Sequence, residues 1–84
     1  MMNVRLHPHA RERLAERGAT EHEVLATMEG GEQFPAKFAR TGFRRNLVFD
    51  GEWLGRKYWT RQPAAFAVAE EDGWLAITVL VKFF

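Results

Sequence analysis

The 84 residues include no cysteine. Its absence excludes a disulfide framework, thiolate chemistry and a zinc ribbon, and makes the cytoplasm the simplest compartment. Long apolar runs are missing as well. The most apolar stretch, Trp74 to Val81, is far shorter than the roughly 20 residues a membrane-spanning helix needs. The opening Met-Met-Asn-Val-Arg-Leu-His-Pro has no apolar stretch after its arginine, so no secretion signal and no membrane partner are expected. There is no Walker loop, nucleophile elbow, dinucleotide fingerprint, low-complexity tract or internal repeat. No cofactor is expected. His7-Pro8-His9 has neither cysteine nor a carboxylate at ligand spacing beside it, which argues against a metal site.

What is present is apolar and aromatic. Hydrophobic residues make up 46% of the chain, with seven Phe and three Trp, enough for one core without staples. Each fully buried large side chain contributes about 1.5–3 kcal/mol. The length leaves no room for a second core, so residues 1–84 are read as a single domain. Net charge is only +1, but the charges are segregated. Lys37, Arg40, Arg44, Arg45, Arg56, Lys57 and Arg61 face only Asp50 and Glu52 in the middle of the chain, while acids collect in the N-terminal third and at Glu70-Glu71-Asp72. Part of the surface is therefore expected to be positive.

Local signals place helices first. Pro8 presets a first helical turn, and Gly18 supplies a stop after Arg17, so one helix is expected from His7-Pro8 to about Arg17. Ala10 and Leu14 form its apolar stripe; His9, Arg13 and Arg17 fall one turn apart on the adjacent edge. Thr20 and Glu23 form a capping box for a second helix, with Val24, Leu25 and Met28 inward and Gly30-Gly31 at its end.

The rest alternates like strand. Phe34, Ala36 and Phe38 flank Pro35, which marks an edge. A strand over Phe43–Phe49 is expected to turn at Asp50-Gly51. Arg56–Arg61 and Ala64–Ala69 follow, parted by Gln62-Pro63, and Glu71-Asp72-Gly73 turns into a final strand from Trp74 to Phe84. Strict alternation would point Leu75, Ile77, Val79, Val81 and Phe83 one way and Trp74, Ala76 and Leu80 the other, as in a central strand. The expected fold is α+β: two short N-terminal helices packed on a four- to five-stranded, mostly antiparallel sheet.

The pattern His9-Ala10-x-x-Arg13-x-x-x-Arg17-Gly18, a capped second helix and a closing Ile77-Thr78-Val79 resemble a family of small bacterial and phage domains. That family is grouped with the RelE/ParE-like toxins, within the barnase–colicin–RelE ribonuclease fold. The resemblance implies a RelE-like domain and metal-independent cleavage of messenger RNA, often on the ribosome, in cells that also carry a neutralising antitoxin. Only His9, Arg13 and Arg17 transfer residue by residue, as the catalytic set.

The chemistry suits these residue types. Attack by a 2′-hydroxyl needs a base, cations for the developing phosphorane charge and an acid for the leaving oxygen. Histidine, as a residue type, titrates at about 6.5 and serves either proton transfer; arginine's fork matches phosphate oxygens. The competing reading is that His9 caps its helix while the arginines pair with Glu12, Glu16 or strand acids. Arg44, Arg45, Arg56, Lys57, Tyr58 and Arg61, joined by Lys82, are the candidate RNA-binding residues. Cations would hold phosphates, and an unpaired base could stack on Tyr58 or Trp59. Alternation puts Arg56 and Tyr58 on one face and Lys57 and Trp59 on the other, so one site cannot use them all. The alternative function is a non-catalytic module binding nucleic acid or protein on the same fold. The sequence sets no oligomeric state.

Overall fold

The structure is a computed structural model that describes residues 3–84. Met1 and Met2, part of the stretch read for a secretion signal, lie outside the described residues. The chain runs β1 (Asn3–Leu6), α1 (Pro8–Glu12), α2 (Leu14–Arg17), α3 (Glu21–Gly30), β2 (Glu32–Pro35), β3 (Thr41–Arg44), β4 (Leu47–Trp53), β5 (Arg56–Glu70) and β6 (Gly73–Phe83). Among the described residues no helix is long and apolar enough to cross a membrane.

This corrects the expected fold. Strand occupies 55% of the described residues and helix 23%, in a six-stranded mixed sheet with three short helices. Two differences account for the change. Asn3–Leu6, read as a lead-in, forms a strand parallel to β6, from Asn3 opposite Gly73 to Leu6 opposite Ala76. Four residues without a turn signal carry no strand signature of their own; the pairing comes from a strand 70 positions away. The first helix is also split. Arg13 lies at φ −93°, ψ −3°, and its N–H donates to Ala10 at 3.2 Å, an i→i+3 bond. That tight turn lets Ala10 and Leu14 both bury against the sheet.

The caps follow the residues expected for them. His7 Nδ1 accepts from the His9 N–H at 3.1 Å, with Pro8 at the first helical position. Gly18 closes α2 at φ +74°. The Ala19 N–H donates to Leu14 and the Gly18 N–H to Ala15, a Schellman closure that only a left-handed residue permits cheaply. At α3 both capping-box bonds form, Glu23 N–H to Thr20 Oγ1 and Thr20 N–H to Glu23 Oε1.

The sheet order is β1-β6-β5-β3-β2, with β4 also on β5. Because β3 pairs with Ala64–Ala67 and β4 with Arg56–Arg61, the two lie end to end on one side of β5. Pro63 falls opposite the gap between them. Its carbonyl accepts from the Arg45 N–H at 3.2 Å, and a strand residue's N and C=O point the same way, so its missing N–H faces no partner. Hence Gln62-Pro63 does not break β5, which runs 15 residues. Asp50-Gly51, expected as a turn, instead sits within β4 beside a register shift between Val48 and Gly51; the chain turns at Leu54-Gly55.

A second irregularity decides the faces of β6. Phe66 pairs with Thr78 but Ala67 pairs with Ala76, leaving Ile77 as an extra residue. This bulge shifts the alternation. Ala76 and Val79 both join the helix-covered core with Phe43, Val24 and Met28, and Trp74 and Val81 pack against it. The expectation that Trp74 and Ala76 face away from Val79 and Val81 is therefore overturned. Near Gly18, Phe83 anchors a second aromatic group, stacked on Trp53 at 5.2 Å and meeting Phe49 and Tyr58. The helices cover one face of the sheet. The other face is uncovered.

Candidate functional site

Beyond Ala76, β6 has no strand on its outer side among the described residues. β1 ends at Leu6, the His7 N–H donates to the Ala76 carbonyl at 2.8 Å, and the chain then turns into α1. α1 and α2 lie along the bare edge. Between helix and edge runs a cleft of about 230 Å³, walled by His9, Arg13 and Arg17 on one side and Ile77–Val79 on the other. An adjoining cleft of about 380 Å³ continues past Glu16 and Arg17 to Trp53 and Leu80. The two share both arginines and form one groove.

The kink at Arg13 helps to build this wall. Residues spaced four apart stay on one helix edge, and burial of Ala10 and Leu14 turns His9, Arg13 and Arg17 outward. His9 and Arg13 are exposed, and Arg17 is half-buried.

Ion pairing divides the described basic residues into two groups, and these arginines fall in the one left without a carboxylate. Arg5 pairs with Glu70, Arg11 with Glu21, Arg44 with Glu32, Lys57 with Asp50 and Arg61 with Glu23. Among the described residues Arg13 and Arg17 form no such pair with Glu12, Glu16 or a strand acid. The groove thus holds two uncommitted guanidinium groups beside an imidazole, with the polar backbone of an edge strand opposite.

The strand cations lie elsewhere. Arg44 and Lys82 project on the uncovered face of the sheet, where they line a different cleft with Phe34 and Phe66. Arg44 is held by Glu32 through two hydrogen bonds of 3.1 Å. Those bonds, with the charge of Arg44 adding to them, hold the Glu32 carboxyl below its ordinary range, and Arg44 is raised in turn. The Arg45 guanidinium lies beside Gly30, at the C-terminal end of α3, where the helix dipole favours a cation. Arg56 sits over Tyr58 at 5.8 Å and Lys57 over Trp59 at 4.7 Å, on the ribbon formed by β4 and the start of β5.

Arg61 is interior. Its Nη1 donates to the Gly18 carbonyl at 2.6 Å, it is ion-paired to Glu23, and its side chain is only 18% exposed. It ties β5 to the α2–α3 junction. The helix-edge triplet and the strand cations therefore do not converge on one spot, and the triplet forms the groove alone. Sequence reasoning missed Trp53 and Leu80 as groove residues, because the long-range packing of β4 and β6 brings them there, and it read Glu16, which α2 places beside Arg17, only as a possible ion-pair partner. Thr78 was noted only as part of the closing Ile-Thr-Val run.

Comparison with known protein families, curated proteins and solved structures finds no match to this chain. The functional reading therefore rests on the groove.

Proposed function

We propose that the edge groove binds the phosphodiester backbone of RNA and that the protein is a toxin-like endoribonuclease acting on messenger RNA. The supporting observation is that Arg13 and Arg17, with no carboxylate partner among the described residues, line one cleft together with His9. Two free guanidinium groups one helical turn apart suit the non-bridging oxygens of one phosphate. His9, at the end of the same edge, takes a proton-transfer role. Glu16, farther along the groove, is the other candidate.

In this reaction the 2′-oxygen loses its proton to one of these groups and attacks phosphorus. The bond to the 5′-oxygen breaks, and the second group returns a proton to that oxygen. The products are a 2′,3′-cyclic phosphate and a 5′-hydroxyl. The arginines stabilise charge on the phosphorane. The resemblance to RelE/ParE-like toxins supports a reaction without cofactor or metal, in the cytoplasm, on ribosome-associated messages, with an antitoxin as partner.

The test is incubation of purified protein with ribosomes and messenger RNA in EDTA. His9→Ala should slow cleavage by roughly 10²–10⁴-fold, the usual contribution of one proton-transfer group, and Arg13→Ala should also slow it. No cleavage by the native protein, or cleavage by both variants as fast as by the native protein, rejects the proposal. His9 is the one imidazole lining the groove, which favours a second reading: a non-catalytic module that holds nucleic acid at the same edge. That reading predicts binding that weakens steeply with salt and leaves the RNA intact.

A further inference from the structure

The uncovered face of the sheet carries an apolar trough with a cationic rim. A cleft of about 400 Å³ is lined by Phe34, Ala36, Phe66 and Thr78, with Phe38 and the cations Lys37 and Arg40 at its mouth. It runs into a second cleft of about 470 Å³, reached across Phe34 and Phe66, that adds Leu80 and Lys82. Exposed apolar surface of this kind marks an interaction site. Among the described residues no carboxylate lines either cleft, and Glu32, beyond Arg44, is engaged by it. Lys37, Arg40 and Lys82 have no carboxylate partner among the described residues.

The turn at its mouth is strained toward display. Phe38 and Ala39 have φ of +60° and +58°, neither is glycine, and the Phe38 ring is 83% exposed. A left-handed conformation at two successive side-chain-bearing residues is unfavourable, and strain of this sort concentrates at functional positions. Here it holds an aromatic ring out beside two cations.

We propose that this trough docks a segment of a partner protein that is amphipathic and acidic, its apolar side chains over Phe66 and against the edge of Phe34, and its carboxylates over Lys37, Arg40 and Lys82. Charge complementarity selects the acidic partner. Within the trough, Phe34 gives single-stranded RNA no stacking surface. Phe34 lies across Gly42, where a Cβ would collide with the ring, and the Arg44 guanidinium stands 4.5 Å from its centroid. Phe66 meets it edge-on at 5.9 Å and 86°. Phe34 has no free face for a base to stack on.

The test is selection from a displayed library of random peptides against the native protein, followed by affinity measurement and backbone NMR mapping of selected peptides. The expected peptides are net negative and carry spaced large apolar residues, and their binding shifts the signals of Phe66 and Ala36, which line the trough and not the edge groove. Affinity should fall at least tenfold in Lys37→Glu/Arg40→Glu and in Phe38→Gly, which deletes the ring while relaxing the turn, and should be unchanged in Arg13→Ala/Arg17→Ala. The proposal is overturned if nothing is selected, if selected peptides lack negative charge, or if they bind the rim variants as well as native protein. It is also overturned if a single-stranded oligonucleotide shifts the Phe66 and Ala36 signals instead.

Discussion

At the scale of single residues, Arg61 and Arg13 show how little a basic side chain says about its task until its partners are seen. Both belong to patterns that suit phosphate. Arg61 ends up between the Gly18 carbonyl and Glu23, and Arg13 ends up unpaired in the groove. Removing one partner of a largely buried pair leaves the other uncompensated. Arg61→Ala should therefore lower unfolding free energy by about 3 kcal/mol in urea denaturation, with RNA affinity of the folded fraction unchanged. Loss of affinity at full stability would place Arg61 on the RNA instead. Arg44 gives a second residue-level outcome. Because its hydrogen bonds depress the Glu32 carboxyl, the pair contributes above the ordinary carboxylate range and is lost as pH falls through the depressed value. Arg44→Gln should move the Glu32 midpoint upward in an NMR carboxyl titration; an unmoved midpoint would mean the pair does not persist in solution.

At the scale of elements, the caps were legible and the irregularities were not. Thr20 with Glu23 and Gly18 after Arg17 act through bonds spanning a few residues, so the chain announces them locally. The pairing of β1 joins segments 70 positions apart, from Asn3 to Gly73, which no window of sequence spans. The bulge at Ile77 and the passage of β5 through Pro63 depend on the register between facing strands, which the alternation within either strand does not reveal. For the same reason the His9/Arg13/Arg17 edge was readable as a helix face, while its union with Ile77–Val79 into a groove was visible only as two separate short motifs. Thr20→Ala should lower stability by about 1 kcal/mol through loss of the cap. Phe38→Gly should raise it by up to about 1–2 kcal/mol, since glycine accepts φ near +60° without the Cβ penalty. Thermal denaturation of the two variants reads both signs, and a destabilised Phe38→Gly would mean the turn is not strained.

At the scale of the molecule, a net charge of +1 conceals local fields, and salt separates them. If RNA follows the groove, each guanidinium releases a counterion from the strand. The log–log salt dependence of binding should then be shallower by about 1.4 in Arg13→Ala/Arg17→Ala, about 0.7 per cation for single strands. An unchanged slope would put the RNA elsewhere. The pairing of β1 with β6 bears on biosynthesis. Both walls of the groove, residues 9–17 and 77–81, lie at opposite ends of the order in which a ribosome delivers them, and the strand that joins them emerges last. Nascent chains stalled before Gly73 hold half a cleft and lack the longest ladder of the sheet. The groove should thus close only once β6 has joined the sheet, so that a chain halted earlier carries one wall without its counterpart.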